Sequence, residues 1–470
     1  MNNWYELVEK QQHEIISDTQ EFLRINSVLD EGTITSNAPF GKGINEALTF
    51  LLSKGTEQGF TAKNVDGYAG HLEIGKGEEI VGILCHVDVV PEGDGWQSAP
   101  FDAEIRDGKI FARGAIDDKG PTMAAFYAMK IVNDLKLPLT KRVRMIIGTD
   151  EESNWQCVDH YFKHEEMPTL GFAPDADFPI IYAEKGIVDF DLIQIEQECE
   201  KVVTNNSVLV SFQSGRRYNM VPDFAEAKLN VAGEQTSFIE QFNEYLNRYQ
   251  LRGKAILEDT VCVLHLEGKS AHAMEPNHGK NAALYLSQFL SNYEWDSKAD
   301  QFLRLISSYF LNDSRGKALG IEYSDDISGE LTVNVGKVSY SQEDGGVLGL
   351  NMRYPVTADI DLIKQQIEKV AEKQQFSLSH FSNSKPHHVN QDDFLIRVLQ
   401  KVYEEQTGEE AKLISIGGGT YARSLKSGVA FGPLFPRRED SAHQKDEHIY
   451  IEDLLKATAI YAQAIYELAK

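Results

Sequence analysis

Cysteine is scarce in this chain. The four present in 470 residues, Cys85, Cys157, Cys199 and Cys262, are widely spaced and form no C-x-x-C pair. That excludes a disulfide framework and a thiolate metal site, and it fits a reducing, cytoplasmic setting. Long apolar runs are also lacking, since none reaches the length of a membrane span. Residues Met1 to Asn26 mix Glu, Lys, Gln and Asp with apolar residues at helical spacing (Trp4, Leu7, Val8, Ile15, Ile16, Phe22, Leu23). They read as one amphipathic helix, not as a signal peptide. Positive charge is in deficit: 46 Lys and Arg stand against 72 Asp and Glu, a net charge of -26. Such a surface repels phosphate backbones and argues against nucleic acid as a partner. No Gly-x-Ser-x-Gly elbow supplies a serine nucleophile. Gly41-Lys42-Gly43 lacks the rest of a phosphate loop. His160 and His164 sit four apart on a predicted helix, but Tyr161 stands where an H-E-x-x-H site needs Glu, so both read as solvent-facing.

What is present suits a large soluble protein. Hydrophobic residues make up 42% and charged residues 25%, an ordinary globular balance. The length calls for at least two domains. Ile80 to Val90 (IVGILCHVDVV) is an almost continuous apolar run rich in β-branched residues, the pattern of a buried parallel strand. A helix is predicted over Lys119–Leu137, a strand over Arg142–Gly148, a helix over Asn154–His164 and a short strand over Leu170–Ala173. This alternation predicts an α/β domain with a mostly parallel central sheet flanked by helices. Beyond about Glu184 the texture changes. Ser207–Phe212, Val261–Glu267 and Glu330–Tyr340 alternate like half-exposed strands, with helices at Thr236–Tyr249 and Ala282–Tyr293. The domain plan is therefore residues 1–185, an inserted α+β domain at 186–385, and a return to the first domain at 386–470.

The chemistry gathers where predicted strands end. His86-Val87-Asp88 closes the first apolar run. Gly114-Ala115-Ile116-Asp117-Asp118-Lys119-Gly120 places two acids between glycines ahead of a helix, with Asp117 read as a ligand and Asp118 as a helix cap. Thr149-Asp150-Glu151-Glu152-Ser153 ends the next strand, and because adjacent glutamates point different ways, one can ligate while its neighbour acts as base. Pro174-Asp175-Ala176-Asp177 follows the third strand, and Ser441-Ala442-His443-Gln444-Lys445-Asp446-Glu447 lies further on. Each piece alone reads equally well as surface charge or a helix N-terminus. Together they form a ring of nitrogen and oxygen ligands without cysteine, suited to Zn or Mn, with Co accepted by the same donors.

These stretches (H-V-D-V-V-P, G-D-G-W followed by P-F, R-G-A-I-D-D-K-G and G-T-D-E-E-S) resemble the aminoacylase-1, carboxypeptidase G and succinyl-diaminopimelate desuccinylase family of metallopeptidases. The spacing and the long middle domain look most like its bacterial dipeptidase V branch, which is carnosinase-like and cleaves Xaa-His dipeptides. The resemblance covers nearly the whole chain. It implies two divalent metal ions per subunit, divided among His86, Glu152, Asp175 and His443, with Asp117 bridging them and the Asp117–Asp118 peptide cis. It implies that Asp88 orients His86 and that a metal-bridging hydroxide attacks the peptide carbonyl with Glu151 as general base. In the middle, lid domain, His272 would stabilise the oxyanion. Asn219, Arg353 and the Gly417–Gly419 loop, through Gly418 and Gly419, would grip the substrate. The extra length of that domain implies a monomer.

The resulting expectation is a cytoplasmic metallo-dipeptidase acting on small unblocked peptides, with no membrane or nucleic-acid partner. Two alternatives stay open. One is an N-acyl amino acid deacylase or desuccinylase on the same scaffold; the other is a non-catalytic metal- or peptide-binding protein.

Overall fold

The structure, a computed structural model, describes residues 3–195, 207–231, 233–258 and 261–470. Cys85, Cys157 and Cys262 are buried free thiols, while Cys199 lies outside the described residues. The fold is mixed α/β and divides into two units. One comprises Met1–Ala183, His388–Ile414 and Thr420–Lys470; the other comprises Glu184–His387 and Ser415–Gly419.

The first unit is built on a sheet with a parallel centre. Strands β1 (Thr61–Val65), β2 (Ala69–Gly75), β3 (Ile80–His86), β4 (Arg142–Gly148) and β5 (Leu170–Ala173) take the order β1-β2-β4-β3-β5. β3 runs parallel to both β4 and β5, and Gly428–Ala430 adds a further parallel strand beside β5. The β1 and β2 edge is antiparallel, as is the strand at Ile180–Glu184 beyond Gly428–Ala430. All seven β3 residues are buried, as expected for a strand covered on both faces. The apolar run outlasts the strand, however. Val87 and Val89 remain buried, but past the Val87 amide, which still donates to the Gly148 carbonyl of β4, the backbone turns to the amino-terminal segment: the Val89 amide donates to the Ser27 carbonyl and the Ser27 hydroxyl donates to that of Val87. Burying each valine contributes roughly 1.5–3 kcal/mol whether or not the backbone is in a sheet, so hydropathy alone overruns the strand end.

The amino-terminal segment forms two helices instead of one, α1 (Trp4–Glu9) and α2 (Gln12–Leu23). The apolar stripe lapses at Gln11 and Gln12, where a continuous helix would have to face the core. Helix α3 (Lys119–Asp134) is buried almost all round, because it packs against β3, α2 and helix Ile451–Ala469 together. Gly120, Ala124, Ala125 and Ala128 keep its surface low enough for close approach.

His71 on β2 gives the first unit a pH-sensitive point. It is 4% exposed, and its Nδ1 lies 2.8 Å from the Tyr161 hydroxyl. Burial, then the nearby Arg144 charge, lowers its pKa from 6.5 to about 4. Because the folded value lies below the unfolded one, this contribution to stability is fully present above pH 6.5 and is lost as pH falls to about 4. The loss amounts to at most about 3 kcal/mol. Urea unfolding of wild type and His71→Gln over that range should show the steeper acid loss in wild type; parallel curves would refute the assignment.

The second unit carries an antiparallel sheet of β6 (Gly186–Gln194), β7 (Val208–Ser214), β8 (Phe224–Asn230), β9 (Arg252–Glu258), β10 (Val261–Glu267), β11 (Thr332–Ser341), β12 (Gly345–Tyr354) and β13 (Phe376–Ser384). Its order is β9-β10-β8-β7-β11-β12-β6-β13. Burial alternates residue by residue along β6, the signature of one packed face. That face meets an apolar core including Phe212, Phe242, Leu286, Phe302 and Leu350. No described helix in either unit is long and apolar enough to cross a membrane.

Candidate metal centre

Adjacent parallel strands end at one edge of their sheet, so the segments that follow β4, β3 and β5 open into a common crevice. β3 ends on His86 itself, β4 runs into Thr149–Ser153, and β5 into Pro174-Asp175. A fourth segment, Arg113–Asp118, precedes α3. It turns tightly enough to require Gly114 at φ 85, and it leaves Gly120 no room for a side chain, since a Cβ there would strike the Ala115 carbonyl.

These segments and His443 bring the five expected ligands together. Asp117 occupies the middle: its Oδ1 lies 3.0 Å from His86 Nε2, and its Oδ2 lies 3.0 Å from His443 Nε2. Asp175 Oδ1 stands 3.7 Å from His86 Nε2 on one side, and Glu152 Oε1 stands 3.1 Å from His443 Nε2 on the other. The Asp117–Asp118 peptide is cis. His86 Nδ1 faces the Asp88 carbonyl at 3.0 Å, with the Asp88 carboxylate further off at 3.5 Å. A donor bond from Nδ1 to that carbonyl leaves the Nε2 lone pair free for a metal. Tyr421, which the sequence did not single out, stands edge-on to the His86 ring.

The acids near the cluster divide into those that face it and those that hold its backbone. Asp88 accepts the Glu151 and Glu152 amides through separate oxygens, at 3.1 and 3.0 Å. Asp150 accepts the Gln156 amide at 2.8 Å and so takes the helix-starting role that any acid of this run could have had. Asp118 departs from the expected helix cap. It sits at the N-cap position but makes no side-chain cap bond; instead its Oδ2 accepts the His86 amide and the Thr122 hydroxyl, each at 3.1 Å. Glu447 closes the last of the sequence motifs, where it is given no role. Its Oε1 accepts the Ile116 and Asp117 amides at 3.0 and 3.2 Å, and its Oε2 pairs with buried Arg113 at 2.5 Å. The available signal was an Arg and a Glu beside two ligand motifs, but nothing in their spacing pairs them.

The electrostatics call for a cation. Burial, with neighbouring negative charge, pushes Asp175 up to about 6 and raises Glu152. Glu151 keeps some solvent access, yet burial of its carboxyl and then the Asp175 and Glu152 charges raise it well above its ordinary value. Burial also opposes ionisation of Asp117, but hydrogen bonds from His443 and His86 outweigh it and hold that carboxyl low. Bonds to Asp117 and Glu152 lift His443 to about 11. Two imidazoles thus face a larger number of carboxylates in a largely buried crevice, where unpaired charge is costly. This nitrogen and oxygen donor set, without thiolate, fits a borderline or hard divalent metal.

The remaining expected site residues lie in the second unit. His272 Nδ1 accepts the Met274 amide at 3.2 Å, which leaves the ring proton on Nε2. Partial burial and then the Arg353 charge keep its pKa low. Asn219 is next to it, with its carbonyl accepting the Ala273 amide. Arg353 on β12 is 4% exposed; it donates to Asn351 Oδ1 at 2.8 Å and to the Gly417 carbonyl at 3.1 Å. Gly418 and Gly419 follow directly, and a Cβ on Gly418 would meet only the tip of Ile416.

Comparison with known proteins identifies the family of the chain. Residues 82–467 match the model of peptidase family M20/M25/M40. The chain is 58% identical over 468 residues to Putative dipeptidase YtjP of Bacillus subtilis (strain 168), covering 100% of both chains. It is 44% identical to Putative dipeptidase of Staphylococcus epidermidis (strain ATCC 12228 / FDA PCI 1200), covering 99% of each. Among solved structures, human carnosine dipeptidase 1 shares the fold with a TM-score of 0.57 at 15% identity, over 99% of this chain and 98% of that one. The chain belongs to peptidase family M20/M25/M40, a family of metallopeptidases.

Proposed function

We propose that this metallopeptidase is a dipeptidase that works with two divalent metal ions. The observation that carries the reading is Asp117, whose two carboxylate oxygens each meet a different histidine, with Asp175 beyond one and Glu152 beyond the other. His86 and Asp175 would hold one ion, His443 and Glu152 the second, and Asp117 both. The relative at 58% identity, itself named as a dipeptidase, supports the substrate class. Zn, Mn and Co all suit the donors.

When bound, the metal supplies Lewis-acid polarisation of the scissile carbonyl and a more acidic water. Glu151 takes the proton of the attacking water and returns it to the leaving amine, a role that suits a carboxyl whose burial raises its pKa above the ordinary value,. His272, neutral and protonated on Nε2, donates to the developing oxyanion. Arg353 binds the free carboxylate of the peptide, with Asn219, Gly418 and Gly419 contacting the same substrate. Residues 186–385 act as the lid that carries His272, Asn219 and Arg353, and Gly418 and Gly419 belong to a separate segment of the same unit.

The test is hydrolysis of Ala-Ala, β-Ala-His, a tripeptide and N-acetyl-Ala by chelator-stripped protein before and after Zn, Mn or Co is restored. The expected result is no turnover without metal and cleavage of dipeptides alone with it. Cleavage of N-acetyl-Ala alone would make the protein a deacylase, and no cleavage with any metal would defeat the catalytic reading.

A further inference from the structure

We infer that Asp66, His160 and His164 form a separate cation site on the first unit, one that takes a first-row divalent ion such as Zn, Ni or Cu. Sequence spacing alone gave the two histidines no third ligand. The fold supplies one. Helix α4 (Gln156–His164) presents His160 and His164 on one face, four residues apart,. The turn between β1 and β2 brings Asp66 against them, and one ligand atom from each of the three lies within 4.8 Å of the others. Asp66 Oδ2 is 2.9 Å from His160 Nε2. The ligands of the candidate catalytic centre stand at the same spacing, 3.0 Å for His86 with Asp117 and 3.1 Å for His443 with Glu152.

The surroundings prepare the trio for a metal. His164 Nδ1 donates to the His160 carbonyl at 2.8 Å, leaving its Nε2 lone pair available. This is the arrangement His86 makes with the Asp88 carbonyl, and it is how metal-bound histidines are commonly oriented. Tyr68 stacks on the His160 ring at 4.3 Å and 18°, so that ring is held before any ion arrives. The His160 and His164 rings are 4.3 Å apart. Rings this close can share one cation. Asp66 and His164 are exposed, so water completes the coordination. Two imidazoles and a carboxylate select Zn, Ni, Cu or Co over Mg or Ca.

The site would brace rather than catalyse. The carbonyl of Tyr68, in the same turn as Asp66, accepts the Thr149 hydroxyl. Asp150 ties the start of α4 to the turn bearing Glu151 and Glu152. An ion joining Asp66 to the end of α4 closes this ring of contacts behind the catalytic acids.

The test is a metal count on full-length protein, stripped by chelator and titrated with Zn and separately with Co, in wild type, His160→Gln/His164→Gln and Asp66→Asn. The double variant should bind one equivalent fewer than wild type while keeping its turnover. That difference of one is independent of how many ions the catalytic centre holds, so it stands or falls separately from the dipeptidase reading. Asp66→Asn, which tolerates the φ of 55 at this turn,, should weaken the extra site at least tenfold. His164→Gln alone, an exposed change that leaves the fold intact, should do the same. Equal counts and equal affinities in wild type and all variants would show a hydrogen-bonded surface trio and overturn the proposal.

Discussion

Glu151→Gln should lower peptide hydrolysis by about 10²–10⁴-fold while metal content and fold stay unchanged. The glutamine keeps the size of the side chain and the backbone amide that Asp88 accepts, but it cannot take a proton. The Glu151 carboxyl makes no short contact with His86 or His443 comparable to those of Asp117, Asp175 and Glu152 among the described residues, so its loss removes no expected ligand. Metal analysis beside steady-state kinetics separates the two roles. Loss of metal together with activity would make Glu151 a ligand, and full activity would move the base elsewhere.

The second large effect concerns stability. Arg113 and Glu447 are an ion pair in which both side chains are at most 2% exposed. Burial and the Asp117 charge raise Glu447 to about 7, against the pull of Arg113 and the Ile116 amide. Arg113→Ala leaves that carboxylate buried without its partner, a change that costs about 3–5 kcal/mol. Trp4, Trp96 and Trp155 all lie in the first unit, so tryptophan fluorescence during urea unfolding reports mainly on the affected part. The double change Arg113→Met/Glu447→Gln should be less damaging than Arg113→Ala alone. It removes both charges and keeps an oxygen for the Ile116 and Asp117 amides. If the double variant is as unstable as the sum of its parts, the coupling is absent and the pair is incidental.

The contrast between residues legible in sequence and those that were not has a physical basis. β4 and β5 match the sequence reading because apolar segments bounded by polar turns are a local pattern. The ligand segments were legible because a buried strand that ends abruptly in His, Asp or Glu needs a reason. β1 and β2 were not. TAKNV carries no apolar pattern and AGHLEIG alternates only over His71–Ile74; their strand identity comes from pairing, β1 with β2 and β2 with β4. Glu447 and Asp118 accept backbone amides far from them in sequence, and Arg113 donates to the Glu447 carboxylate and to the Pro91 and Glu92 carbonyls; such bonds leave no residue pattern at the groups they meet. The same holds for Asp66, which becomes a partner of His160 only once the β1–β2 turn is folded against α4.

Asp88, Asp118 and Glu447 hold the amides of His86, Asp117, Glu151 and Glu152 through the chain's own carboxylates. The shape of the centre is therefore fixed by folding and not by the ion. A cation arriving later meets a rigid socket and has little conformational entropy to extract. Exchange of one divalent ion for another should accordingly leave the fold of the intact protein unchanged.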